Sequence, residues 1–157
     1  MKTRLVLLSI IATLSFFTSC KKDSIQIIPS NNVTSIEKSI AVHNQLHVAD
    51  PFRVFLTFSD TEESIIVEAN DNLHQYINVV DKNGWLKVSL ENNINPISDG
   101  MVLNVYITTK YINEYIAEGA ASISLKNELY SDEITIDLTG ASRFSGILYS
   151  NKLEAIL

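Results

Sequence analysis

The sequence predicts an all-β protein in which successive turns of the chain stack on one another as a parallel β-solenoid. Three observations point to this class. Apolar and polar residues alternate with period two beyond about residue 36, turn-forming residues separate these runs, and one motif returns after 21 residues. A β-sandwich in which the motif echo is accidental is the alternative.

The N-terminus is typical of an exported lipoprotein. Lys2 and Arg4 precede the apolar stretch 5–17, two small residues follow, and Cys20 comes next. A membrane-spanning helix needs about 20 apolar residues, so this stretch is too short. A cysteine at the first mature position resembles the lipobox of Gram-negative lipoproteins, whose thiol carries palmitate or a similar acyl chain. We therefore expect a lipoprotein signal peptide over residues 1–19. An ordinary signal peptide or a short membrane anchor is the alternative.

Composition restricts the range of partners. The chain has 12 basic and 18 acidic residues, and removing Lys2 and Arg4 leaves 10 against 18, a charge near −8. This balance argues against nucleic acid as a partner and against charge-driven adsorption to anionic lipid. Without Arg4, the arginines are Arg53 and Arg143. We interpret two arginines as too few to bind a phosphate or sulfate group. Cys20 has no second cysteine to pair with, so stability must come from a hydrophobic core.

The mature chain divides into a flexible tether and one domain. Residues 20–35 are polar with a single proline, and we interpret them as a lipid-anchored flexible tether. Residues 36–157 are long enough to bury a core, and they form the predicted β domain. No stretch predicts a convincing helix, although residues 72–80 could form a helical turn.

The strands are predicted from runs with one apolar face. Their inward-facing residues are Phe52, Val54, Leu56 and Phe58; Ile65, Val67 and Ala69; Leu86, Val88 and Leu90; Leu103, Val105 and Ile107; and Ile134, Ile136 and Leu138. Turns rich in Asn, Asp, Ser and Gly separate them, for example at 81–84 and 99–100. These runs predict strands with a buried and a solvated face.

A repeat lies in the second half of the domain. Residues 116–120 return as residues 137–141, and a further strand at 153–157 begins where the next copy should. A coil of about 20 residues must turn sharply while its strands stay about 4.8 Å from their neighbours, so its corners need small side chains and glycine. The predicted coil-corner motif consists of Gly119, Ala120, Ser122, Gly140, Ala141 and Ser142, with serine hydroxyls that could bond along the stack.

Several segments together resemble a known family. They are residues 118–122 and 138–143 at the corners, preceded by 51–56, 64–73, 84–88 and 102–107 in the same order. This arrangement resembles the putative auto-transporter adhesin head GIN domain, a domain of unknown function in bacterial envelope lipoproteins, from about residue 35 to 157. The resemblance implies a single-stranded right-handed parallel β-helix and an adhesin-like role.

One departure from the family concerns the C-terminal edge. Family members usually continue with more Gly-Ala-Ser coils, whereas this chain stops at Leu157 on an apolar strand. An uncapped solenoid end exposes unpaired backbone and apolar side chains. We expect either a shortened family member or an edge that meets a partner or a second copy of the chain.

Candidate chemistry is sparse. His43 and His47 have the spacing of zinc ligands on a helix, but four residues along a strand span about 13 Å, so no metal site is predicted. The aspartates lie mostly one per turn, and nothing resembles a nucleophilic triad or a phosphate-binding glycine loop. We therefore expect no catalytic residues and no cofactor. A carbohydrate-active β-helix enzyme is the least favoured alternative.

The candidate binding platform consists of Phe55, Trp85 and Tyr106, which the alternation places on the solvent side of successive strands. Exposed aromatic faces can bind sugar rings or a partner's apolar patch. A loop or the N-terminal segment covering them is the alternative. The sequence thus predicts a lipid-anchored outer-membrane binding module, facing the periplasm or the cell surface, with a glycan or protein ligand. A structural envelope protein that oligomerises through its coil edge is the second hypothesis.

Overall fold

The computed structural model describes residues 25–39, 44–96 and 99–157, so the predicted signal peptide, Cys20 and His43 lie outside the described residues. The strands are β1 (Ile25–Ile27), β2 (Val33–Glu37), β3 (Gln45–Val48), β4 (Arg53–Phe58), β5 (Ser64–Asn70), β6 (Ile77–Lys82), β7 (Trp85–Leu90), β8 (Ile94–Pro96), β9 (Leu103–Thr109), β10 (Glu114–Ala117), β11 (Ser122–Leu125), β12 (Leu129–Leu138), β13 (Arg143–Ser145) and β14 (Leu148–Ile156). One short 3₁₀ helix, Asp71–Tyr76, joins β5 to β6.

The strands form two large sheets and one small one. Sheet I has the order β14-β12-β10-β3-β7-β6, sheet II has the order β13-β11-β4-β9-β5-β2, and β1 pairs with β8. The all-β prediction is confirmed, and the predicted helical turn corresponds to the 3₁₀ helix.

One hydrophobic core lies between sheets I and II, and the period-two pattern builds it. Val54 and Leu56 of β4, and Leu86 and Val88 of β7, are fully buried, while their neighbours along each strand are more exposed. Complete burial of side chains of this size stabilises the fold by about 1.5–3 kcal/mol each. The inward-facing residues of the five predicted runs are buried, apart from Phe58 and Leu138, which are partly buried against the same core.

From β9 onward, successive strands alternate between the two sheets and pair in parallel with strands of the preceding turn. Glu114 lies opposite Thr135, and Ser122 opposite Arg143, so the register follows the predicted 21-residue repeat. β3 and β4 pair in parallel with β10 and β11 in the same way. At the other edge, β6, β5 and β2 pair antiparallel, an arrangement that the sequence did not predict.

The predicted corners lie directly over one another. Gly119 and Gly140 have φ of 69° and 76°, and Asp50, in the next turn of the stack, has φ of 60°. The amide of Ala141 donates to the carbonyl of Gly119 (2.7 Å), and the amide of Glu118 donates to the carbonyl of Val48 (2.9 Å). These three bends therefore form one ladder along the edge of the core.

The serines of the predicted corner do not share hydrogen bonds. Ser122 lies opposite Arg143, one position out of step with Ser142, whose buried hydroxyl has no hydrogen-bond partner among the described residues. The hydroxyls that do meet belong to Ser124 and Ser145, at 2.9 Å. The prediction paired the wrong serines because Ala121, an extra small residue in the first copy, shifts the apparent motif by one.

The described part of the predicted tether is paired with the domain. Strand β1 lies beside β8, and β2 pairs with β5. Polar side chains hold the segment between β1 and β2 to the junction of β5 and the 3₁₀ helix: Asn70 donates to the carbonyl of Ser30 (2.7 Å), and Asn32 donates to Asp71 (3.1 Å). Since these contacts are polar and far apart in sequence, hydrophobic patterning could not reveal them.

The strand β14 lies at the edge of sheet I, beyond β12. Leu153 and Ile156 are about half exposed there (50% and 51%). The prediction that this edge meets a partner or a second copy stays a prediction.

Replacing Gly140 tests the ladder of bends. A β-carbon on Gly140 lies 2.9 Å from the carbonyl oxygen of Gly119, whereas one on Gly119 lies 3.8 Å from its nearest neighbour, the nitrogen of Asp50. Both substitutions to alanine incur the cost of positive φ, but only Gly140→Ala forces the stacked backbones apart. We expect Gly140→Ala to lower the free energy of unfolding by about 1–3 kcal/mol more than Gly119→Ala in urea denaturation. Equal losses would show that the bends do not stack closely.

The contacts of Asp71 make docking of the N-terminal segment pH-dependent. Hydrogen bonds from Ser30 and Asn32 lower the pKa of Asp71 below its usual 3.8. The stabilisation that ionised Asp71 gives to the docked segment is therefore fully present above pH 3.8, and it is lost as the pH falls through the lowered pKa of Asp71. We expect Asp71→Asn to speed hydrogen exchange of the amides in residues 30–37 at neutral pH.

Asp60→Asn is the matched control for this exchange experiment, because Asp60 is an exposed carboxylate that pairs with Lys110 elsewhere in the domain. It should leave exchange in residues 30–37 unchanged. Equal exchange in wild type and Asp71→Asn would mean that Asp71 does not hold the segment.

Candidate functional site

Phe55 and Tyr106 of the predicted platform are neighbours on the outer face of sheet II. They are register partners in β4 and β9, and their rings stack with centroids 5.1 Å apart and planes inclined by 22°. The ammonium group of Lys126 lies 4.6 Å from the centre of the Phe55 ring. This cation–π contact covers part of Phe55 and leaves Tyr106 as the more open ring.

A polar network fixes the orientation of Tyr106. Its hydroxyl donates to Glu68 (3.0 Å), and the amide of Asn104 donates to the same carboxylate oxygen (2.7 Å). Partial burial and the bond to Glu68 raise the pKa of Tyr106. The ring is therefore a neutral, pre-positioned surface at physiological pH.

Trp85, the third predicted platform residue, lies elsewhere. It begins β7 of sheet I, opposite Gln45, and lines a shallow cleft with His47 and Lys87. The prediction treated these strands as neighbours, whereas β4 and β9 lie in sheet II and β7 lies in sheet I. The three aromatic residues therefore do not form one platform.

Sequence reasoning missed a cleft lined by tyrosines. Tyr130 and Tyr149 are register partners in β12 and β14, with ring centroids 4.8 Å apart and planes inclined by 13°. They are 65% and 50% exposed. Together with Tyr111 they line an open cleft of about 920 Å³. We call this site the tyrosine cleft.

Hydrogen-bonding groups surround these rings. The hydroxyls of Tyr111 and Ser131 lie 3.1 Å apart, and the amide of Asn151 donates to Asp132 at 3.1 Å. The hydroxyl of Tyr130 donates to Glu128, and this hydrogen bond raises the pKa of Tyr130. The cleft thus offers flat apolar faces bordered by hydroxyl, amide and carboxylate groups. The signal in the sequence was a tyrosine that recurs 19 residues after Tyr130, close to the coil length.

A second, smaller cleft lies beside the ladder of bends. Its volume is about 330 Å³, and its polar lining residues are Arg53, Ser122 and Arg143. Ser122 is the register partner of both arginines, one on each side, so the topology places the two cationic residues in one row.

The histidines do not form a metal site within the described ranges. Nε2 of His47 lies 3.1 Å from a carboxylate oxygen of Glu118 without hydrogen-bond geometry, and His74 contacts Thr34 through Nε2. No group of three or more His, Cys, Asp or Glu side chains there could hold a metal ion.

Comparison with known proteins identifies the family. The model of the family described as "Putative auto-transporter adhesin, head GIN domain" matches residues 43–157. The chain belongs to this family. The resemblance drawn from the corner motifs and strand order is therefore confirmed, and the head GIN domain accounts for most of the chain.

Solved structures share the fold at low sequence identity. A putative adhesin from Parabacteroides distasonis ATCC 8503 is 20% identical with a TM-score of 0.70, covering 83% of this chain and 55% of that one. A putative adhesin from Bacteroides fragilis NCTC 9343 is 20% identical with a TM-score of 0.71, covering 82% and 60%. A putative lipid binding protein from P. distasonis is 14% identical with a TM-score of 0.66, covering 83% and 63%. The chain thus spans less than two thirds of each of these proteins.

Among curated proteins, none matches the sequence significantly. In the described parts of the chain, no helix has the length and apolar character needed to cross a membrane.

Proposed function

We propose that this head GIN domain is a non-catalytic, adhesin-like binding module held at the outer membrane by a lipid on Cys20. Family membership and the adhesin names of similar folds support a binding role. The signal-like N-terminus supports export and acylation. The ligand is a glycan or a protein surface that presents flat apolar groups.

The tyrosine cleft is the observation that carries this proposal. Two parallel, half-exposed phenol rings offer sugar rings a stacking surface of the kind that aromatic side chains provide. Because Tyr130 and Tyr149 already stack on each other, little side-chain freedom is lost when a ligand binds. Asp132, Asn151 and Ser131 supply hydrogen-bonding groups for sugar hydroxyls.

The regular stacking explains how such a cleft is built. We infer that sheets I and II are two faces of one parallel β-helix, an interpretation supported by parallel registers that run through β3, β10, β12 and β14. Equivalent positions of successive coils then lie about 4.8 Å apart, close to the stacking distance of aromatic rings. A tyrosine repeated at one coil position therefore produces a stacked ladder.

Self-association through β14 is the second candidate role, favoured by the exposed Leu153 and Ile156 at the sheet edge. It would make the protein a structural component of the envelope. The two roles share strand β14, and Leu153 also lines the tyrosine cleft. Ile156 lies outside the lining of the cleft, so a substitution there distinguishes association through the edge from binding in the cleft.

Replacing Tyr149 tests the tyrosine cleft. We expect Tyr149→Ala to abolish binding of the full-length protein to neutral oligosaccharides on a glycan array, because it removes half of the stacked pair. Tyr149→Phe is the matched control and should retain most of the binding, since the ring face remains. The melting temperature should fall only slightly in Tyr149→Ala, because the ring stack contributes about 0.5–1.5 kcal/mol.

Binding that is equal in wild type and Tyr149→Ala would exclude the tyrosine cleft as the glycan site. A large fall in melting temperature with Tyr149→Ala would instead assign the ring pair a packing role.

Replacing Cys20 tests the lipid anchor. We expect labelled palmitate to enter the wild-type protein in growing cells and to be absent from Cys20→Ala, which should leave the membrane fraction. Cys20→Ser is a second variant of similar size that also lacks the thiol and should behave like Cys20→Ala. Label retained by both variants would place acylation on another residue, and absence of label from the wild type would reject acylation.

A further inference from the structure

We propose that Arg53, Ser122 and Arg143 form a second binding site, which recognises the carboxylate groups of an acidic polysaccharide. We call it the arginine cleft. It lies on sheet II, whereas the tyrosine cleft is built mainly from β12 and β14 of sheet I. The two sites can therefore be tested independently.

The topology places the two arginines far more closely than their sequence positions indicate. Arg53 is in β4, Arg143 is in β13, and Ser122 of β11 lies between them in register. Neighbouring strands are about 4.8 Å apart, so the two arginine backbones are about 9.6 Å apart with a hydroxyl between them. Long guanidinium side chains at this separation can bind one carboxylate together or two successive ones.

Among the described residues, no carboxylate neutralises either arginine. No carboxylate in the described part of the chain forms an ion pair with Arg53 or Arg143. Glu68, the acidic residue in the same cross-strand row, accepts hydrogen bonds from Asn104 and Tyr106. The guanidinium groups therefore keep their donors available, in a chain whose net charge is −6.

A planar guanidinium favours carboxylate over other acceptors in geometry as well as charge. Its fork of N–H donors matches the two oxygens of a carboxylate, and such bidentate pairs are stronger and more directional than bonds from lysine. The hydroxyl of Ser122 adds a group that can donate to the carboxylate or to a neighbouring sugar hydroxyl.

The surroundings of the arginine cleft favour a sugar over a simple anion. Two residues along β4 from Arg53, on the same face, Phe55 stacks on Tyr106 with Lys126 above it. A polysaccharide that lies along this face could place a ring near Tyr106 and its carboxylates at the arginines. The recognised class is therefore a uronate-type sugar chain, in which each ring carries a carboxylate.

Calorimetric titration of the full-length protein in non-ionic detergent with an oligogalacturonate tests this assignment. We expect the double variant Arg53→Gln/Arg143→Gln to weaken binding by about tenfold for each arginine, or roughly 100-fold in total. The matched control Lys82→Gln/Lys87→Gln makes the same change in net charge on sheet I and should bind like wild type. Because both arginines are exposed, the melting temperature of the arginine variant should remain near that of wild type.

Three further ligands define the specificity. The methyl-esterified oligogalacturonate, which lacks charge, should bind the arginine variant and wild type equally, and neither a poly-glutamate of equal charge nor a sulfated oligosaccharide should match the oligogalacturonate. Weaker binding of the methyl ester by the arginine variant, or tight binding of the poly-glutamate or the sulfated oligosaccharide, would overturn the assignment to sugar carboxylates. Equal weakening by the lysine control, or no binding of oligogalacturonate to wild type, would also overturn it. The arginine variant should keep its binding of neutral oligosaccharides on the glycan array, so a failure here is distinct from a failure of the tyrosine cleft.

Discussion

The fold depends on close stacking of the backbone where the chain turns from one sheet to the other. At the corner, Gly140 lies so near the carbonyl of Gly119 that a β-carbon would reach 2.9 Å from its oxygen, and Ala141 donates to that same oxygen. This contact sets the spacing between successive turns, and the parallel register of β10 with β12 and of β11 with β13 follows from it. The core and both clefts are positioned by that register.

Because apolar residues occupy every second position, the sequence alone could predict the buried faces of β4, β5, β7, β9 and β12, and the repeat indicated small residues at the corners. The sequence did not predict β1 or β2, which begin in the predicted tether. It could not predict which strands are neighbours, since that depends on how often the chain changes sheet. Trp85 was misplaced for this reason, since it lies in sheet I, whereas Phe55 and Tyr106 are neighbours in sheet II. Docking of residues 30–34 through Asn70 and Asp71 was also invisible, because single polar residues carry no periodic signal.

The interior and the exterior of this fold respond to different constraints. Inward positions such as Val54 and Ile123 must fit layers that repeat at the strand spacing, so they stay apolar. Outward positions at the same spacing are free to vary, and a side chain repeated there forms a ladder. The pairs Tyr130–Tyr149 and Ser124–Ser145 are such ladders, and Arg53 and Arg143 occupy one row with Ser122 between them. Chemistry on the outer faces can therefore change without altering the core.

The acidic charge of the chain does not conflict with recognition of an acidic polymer. At physiological ionic strength the Debye length is about 8 Å, so carboxylates on distant turns contribute little at the arginine cleft. The local balance of Arg53, Arg143 and Lys126 against Glu68, whose oxygen is already hydrogen-bonded, is positive. Long-range repulsion would slow the approach of a polyanion, while short-range pairing with the guanidinium groups would hold it once it arrived. A site of this kind would favour slow association and would discriminate by geometry rather than by charge alone.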